Sequence, residues 1–152
     1  MSKKKLFIWI LFILYAIVML WLLFGQRIGF VSYDDYFLRL KAKINLIPFK
    51  TIAEYIEMYK ENIHYSLVRH SIINNIGNIV VFIPLGCFLP TLFDKLKKLK
   101  PFFLCCTAII ACVELIQYFT LLGSLDIDDY ILNILGVLIG FTAYKLASKV
   151  SA

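Results

Sequence analysis

The sequence predicts an all-α, four-helix transmembrane bundle, and three observations carry that prediction. Of 152 residues, 61% are hydrophobic and only 17% charged, whereas a soluble domain needs about 25% charged and about half apolar residues. Mean hydropathy is +0.82. Four charge-poor runs, about 6–24, 72–92, 102–122 and 129–146, each approach the ~20 residues with which an α-helix crosses a ~30 Å hydrocarbon core. The lysines gather at the ends of these runs. The same composition excludes disorder, which goes with few apolar residues and high net charge. Residues 1–152 read as a single membrane domain.

The first run has 19 residues without a charge. Lys3, Lys4 and Lys5 precede it as in a signal peptide, but the run is longer than the usual apolar region and no small-x-small cleavage site follows. It reads as an uncleaved anchor. The connection 25–71 should carry a helix of its own, because Thr51 and Glu54 have capping-box spacing after Pro48. Ile52, Tyr55, Ile56, Tyr59 and Ile63 then recur at helical spacing. Such an amphipathic helix can lie on the outer membrane surface with its tyrosines at headgroup level, or pack over the mouth of the bundle as a lid. The second run opens on Asn74, Asn75 and Asn78, and Pro84 is expected to kink or open it locally. The third contains Glu114 and Gln117. The fourth carries Asn133 and the small-residue pattern Gly136-x-x-x-Gly140, which predicts a close helix contact.

Basic residues near span ends orient a membrane protein. Lys3–Lys5, the cluster Lys95, Lys97, Lys98 and Lys100, and the tail lysines Lys145 and Lys149 predict cytoplasmic termini. The turn before the fourth span has Asp126, Asp128 and Asp129 and no base, which suits the outer side. The lysines also suit contact with anionic lipid headgroups, so membrane lipids are expected partners.

Polar side chains inside a span are costly and tend to face the bundle interior. Asn74 with Asn78, Glu114 with Gln117, and Asp129 with Asn133 each share a helix face by spacing, and in this orientation all lie near the outer surface. The candidate ligand-binding residues are therefore Asn74, Asn78, Glu114, Gln117, Asp126, Asp129 and Asn133. Glu114 is the candidate catalytic residue, since a carboxyl at such depth suits a general acid or base or a proton carrier. The competing account is a hydrogen-bonded plug that holds the helices in register.

Other signals are weaker. Asp126-x-Asp128-Asp129 offers hard oxygen ligands, but an acidic turn ahead of a helix is ordinary capping, and no metal is assigned. His64 and His70 read as surface residues. Cys87, Cys105, Cys106 and Cys112 lie in apolar stretches and read as buried thiols. No cofactor motif and no nucleic-acid motif is present.

The motifs resemble the VanZ-like family, small bacterial membrane proteins named for a teicoplanin-resistance protein. The matching pieces are Asn45-Leu-Ile-Pro48-Phe49, then Asn74-x-x-Gly77-Asn78-x-x-x-Phe82-x-Pro84-Leu85-Gly86, then Glu114-x-x-Gln117. The longest is Asp126-Ile-Asp128-Asp129-x-x-Leu132-Asn133-x-x-Gly136-x-x-x-Gly140. The family pattern usually has an arginine shortly before the first aspartate of the acidic turn; here Leu121-Leu-Gly-Ser-Leu125 stands there. The resemblance implies a bacterial cytoplasmic-membrane protein contributing to glycopeptide resistance or cell-envelope function. Its partner would be a lipid-linked cell-wall precursor or a lipoglycopeptide. The alternatives are a structural or assembly protein, and a membrane hydrolase or transferase acting on a lipid-linked envelope substrate; an enzyme is the less favoured of these.

Overall fold

The computed structural model describes residues 2–25, 36–60 and 65–150, with the side chains of 65–71 left aside. Ile63 and His64, and the side chains of Arg69 and His70, fall outside the described residues. Among the described residues six α-helices run in the order α1 (Lys3–Leu23), α2 (Tyr36–Ala42), α3 (Lys50–Lys60), α4 (Tyr65–Leu92), α5 (Leu99–Phe119) and α6 (Ile127–Val150). Four of them, α1, α5, α6 and the 72–92 part of α4, are long and apolar enough to cross a membrane. The protein is an all-α membrane bundle. Spans three and four start three and two residues earlier than the apolar runs suggest, and α4 begins seven residues before its apolar part.

Helices α4 and α6 run parallel and form the closest pair. A Cβ on Gly140 would stand 2.0 Å from the Ile83 carbonyl oxygen, and one on Gly136 would stand 2.3 Å from that of Ile79. Only glycine lets the two backbones meet here. The Gly136-x-x-x-Gly140 contact is thus present, and Gly86 completes it from α4, 2.2 Å from the Val137 oxygen by the same measure. The α4 helix continues through Pro84 and Pro90 without a break.

Helix α5 packs antiparallel on α6, with Phe102 and Phe141 stacked at 4.3 Å between centroids. Helix α1 leans on α4, where Phe12 and Tyr15 meet Phe88 and the Tyr15 hydroxyl donates to the Val81 carbonyl at 2.8 Å. Apart from this stripe α1 is peripheral, exposing Phe7, Ile10, Ile13, Leu14 and Ile17 in the manner of a lipid-facing span. Phe82, Phe102, Cys106, Ile110 and Val137 form the sealed core. Of the four cysteines only Cys106 is buried; Cys87 and Cys105 are half-buried and Cys112 is exposed. The apolar setting of Cys112 is the bundle's outer face, not its interior.

The alternation of the spans puts both termini and the lysine-rich connection after α4 at one end of the bundle. The acidic turn and the segment around α2 and α3 lie at the other.

Candidate functional site

The acidic end is built around a short parallel bridge that the periodicity did not announce. Strand β1 (Ile44–Asn45) pairs with β2 (Leu125–Asp126), Ile44 opposite Leu125 and Asn45 opposite Asp126. The Leu125 amide also donates to the Lys43 carbonyl at 2.8 Å. Two residues per strand are too few to be stable alone, so side chains supply the rest.

Asp128 supplies most of it. One of its oxygens accepts the Phe49 amide, and the other accepts those of Thr51 at 3.1 Å and Ile52 at 3.4 Å. These are first-turn donors of α3, which a helix cannot satisfy internally, and a carboxylate also complements the helix dipole there. Asp128 is 2% exposed. It is an N-cap delivered from 77 residues away, and it holds Phe49 at a φ of 64°, a left-handed conformation unfavourable for a bulky residue. The expected capping box is therefore corrected. Thr51 sits inside α3, and its hydroxyl donates to Asp126 at 2.6 Å.

Asp126 is spent in a similar way, accepting the Asp128 amide at 2.9 Å and the Asn45 side chain at 3.3 Å. The Asn45 amide nitrogen also lies 2.7 Å from the Thr51 hydroxyl oxygen. Asn45, Thr51, Asp126 and Asp128 together form a latch that fastens the segment before α4 to the start of α6. Oxygens already holding hydroxyls and backbone amides make a poor cation cage, and among the described residues no group of three or more His, Cys, Asp or Glu could hold a metal.

Below the latch the predicted polar residues bond between neighbouring helices. Asn78 donates to Asp129 at 2.6 Å, joining α4 to α6, with Asn74 half-buried one turn away. Asn133 donates to Glu114 Oε1 at 3.0 Å, joining α6 to α5. Gln117 donates to the Leu23 carbonyl at 3.0 Å and anchors the end of α1. Glu114 and Gln117 are each 4% exposed and Asn133 is 1% exposed. The Asn133 Oδ1 is buried without a hydrogen-bond partner among the described residues.

Two of the seven candidates line a cavity among the described residues. Glu114 and Asp126, with Tyr130 and the apolar Leu46, Leu115 and Leu125, surround a space of about 200 Å³ between α5, α6 and the β1 segment. Beside it, in the turn that follows α5, Leu121 has a φ of 58°. The Lys43 ammonium donates to the Leu121 carbonyl at 2.6 Å. Sequence reading missed Lys43, Asn45 and Thr51 as parts of this end, and Gly86 as part of the α4–α6 contact. The motif Asn45-Leu-Ile-Pro48-Phe49 was visible, but nothing in its spacing names a partner some 80 residues on.

Comparison with known proteins gives the family of this chain. The chain is 29% identical over 137 residues to Protein VanZ of Enterococcus faecium, an alignment covering 90% of this chain and 72% of that protein. No solved structure matches. The VanZ/LLP1 family pattern matches residues 12–148, and the chain belongs to that family.

Proposed function

We propose that this protein is a multi-pass protein of the bacterial cytoplasmic membrane, with cytoplasmic termini, and that it contributes to teicoplanin-type glycopeptide resistance or envelope function. The site would be the cavity beside Glu114. The observation that carries the reading is Glu114, 4% exposed, among the residues that line a mostly apolar cavity at the acidic end of the bundle. A carboxyl retained at such depth in a span is costly and commonly marks function. The four long apolar helices support the membrane, and the positive-inside rule supports the orientation.

At about 200 Å³ the cavity is smaller than the ~300–1,000 Å³ of typical small-molecule sites. It takes one polar group on an apolar stem, such as a hydroxyl or amine of a lipid-linked precursor or lipoglycopeptide, and not a whole glycopeptide. Glu114 and Asp126 would contact that group. Asn133 fixes the Glu114 carboxyl, while Asn74, Asn78, Gln117 and Asp129 hold the surrounding helices.

The test is teicoplanin susceptibility of a host expressing the wild type, Glu114→Ala or Glu114→Gln at matched membrane abundance. Glu114→Ala is expected to restore sensitivity. Unchanged resistance in both variants overturns the site. A structural reading has its own support, because Gln117, Asn78 and Asp128 all bond between elements. It predicts instead that abundance falls in step with resistance.

A further inference from the structure

We propose that the lysine-rich end of the bundle holds an anionic diacyl phospholipid, with an acyl chain in a groove between α1 and α5 and its headgroup on the lysines after α4. Helices α1 and α5 are tied together at the acidic end by the Gln117 bond to Leu23. At the lysine end they stand apart across a groove of about 780 Å³, with Phe12 on one wall and Cys105 on the other. Leu89 and Leu92 of α4 form its back, and Leu96 and Lys95 lie at its end. That volume falls within the ~300–1,000 Å³ of sites that take a small ligand. Cys105 precedes Glu114 by nine residues on α5, about 14 Å along the helix, so this groove is separate from the Glu114 cavity.

Charge selects the occupant. The connection after α4 has one acid, Asp94, and it is engaged by Lys97 within the same turn. Lys95 at the groove, and Lys98 and Lys100 beyond it, are exposed and form no ion pair among the described residues. Lys5 of α1 lies near enough to act on Asp94. Apart from Lys95 and Asp94, whose carboxylate Lys97 engages, the groove lining is apolar, so the ligand must be apolar along its length and negative at its head. Within a bilayer that description fits an anionic phospholipid. Juxtamembrane lysine clusters attract such lipids, and a groove adds retention of one molecule to general attraction.

The experiment is native mass spectrometry of the full chain in detergent, titrated with phosphatidylglycerol or with phosphatidylcholine of the same acyl chains. One phosphatidylglycerol is expected to stay bound at roughly tenfold lower lipid concentration than phosphatidylcholine. Cys105→Trp and Leu96→Trp, which fill the groove, should each abolish the retained lipid while helical circular dichroism is kept. Lys95→Gln with Lys98→Gln, which fills nothing, should erase the preference for phosphatidylglycerol. Equal retention of the two lipids by the wild type overturns the proposal. So does undiminished retention in both tryptophan variants, which would leave only surface attraction. A dimeric mass that these variants abolish also overturns it, since a second copy would then occupy the groove.

Discussion

Substituting Asp128 by alanine is expected to release the start of α3 while leaving the bundle folded. The carboxylate accepts amides from Phe49, Thr51 and Ile52. The third bond, at 3.4 Å, is too long to count for much. The other two are charge-assisted, each contributing about 1.5–3 kcal/mol. Phe49 and Lys50 are exposed, so water re-solvates part of what is lost and the low end of that range applies. The net is about 3 kcal/mol, a ~10²-fold loss of amide protection. Phe49 should also leave its left-handed conformation more readily, because the bond of its amide to Asp128 helps offset the steric cost of a positive φ in a phenylalanine. Hydrogen exchange resolved by residue, on the detergent-solubilised protein, reads both effects. The expected pattern is faster exchange at Phe49, Thr51 and Ile52 with α5 and α6 unchanged. Unaltered exchange at Thr51 would refute the latch. A loss spread through α6 would show that Asp128 supports its own helix and not the distant one.

Four further outcomes follow from the geometry. Gly140→Ala is expected to lower stability by about 1–3 kcal/mol, since its Cβ would meet backbone atoms at 2.0–3.0 Å. Gly77→Ala, whose Cβ meets nothing within 4 Å, should be neutral or stabilising in the same denaturation assay. Gln117→Leu is expected to free the end of α1 from α5, seen as increased labelling of a cysteine placed at Phe24, at a global cost of about 1 kcal/mol. At the opposite end, the hydrogen bond and charge of Lys97 hold the Asp94 carboxyl below its ordinary value, and Asp94 raises the Lys97 ammonium in turn. The pair is therefore intact above the usual carboxylate range and is lost as pH falls through the lowered Asp94 value. Carboxyl NMR titration of Lys97→Met should return Asp94 to the ordinary range.

Helices were legible because their cause is local. An apolar run of about 20 residues has few alternatives to a membrane-spanning helix, and Gly136-x-x-x-Gly140 announces a close neighbour because a backbone can approach only where side chains are missing. The identity of that neighbour was not written there. Gly86 belongs to the contact as fully as Gly140, but it sits in a segment whose prolines are the louder signal. The latch was hidden for a different reason. Thr51 and Glu54 have the spacing of a capping box, and the local rule is sound, but Asp128 offers the same amides a charged acceptor. Glu54 is left with Lys50 at 3.8 Å on the exposed face. A local cap yields to a distant one whenever folding brings a buried carboxylate to the helix start.

How the polar residues are bonded decides what their mutants can reveal. Asp126 touches the cavity, yet its oxygens also hold Thr51, Asn45 and the Asp128 amide. Removing it therefore disturbs the latch and the cavity at once, and a loss of resistance there would not separate the two. Glu114 is different. Its bond to Asn133 joins two helices already packed through Phe102 and Phe141 at the far end, and Glu114→Gln keeps an acceptor for Asn133 while removing the ionisable carboxyl. A phenotype in Glu114→Gln that Asn133→Leu shares only in part belongs to the carboxyl itself, because loss of helix register would affect both alike. The acidic turn, prominent in the sequence, is mainly architecture, and the buried carboxyl one layer below it is where a chemical role can be isolated.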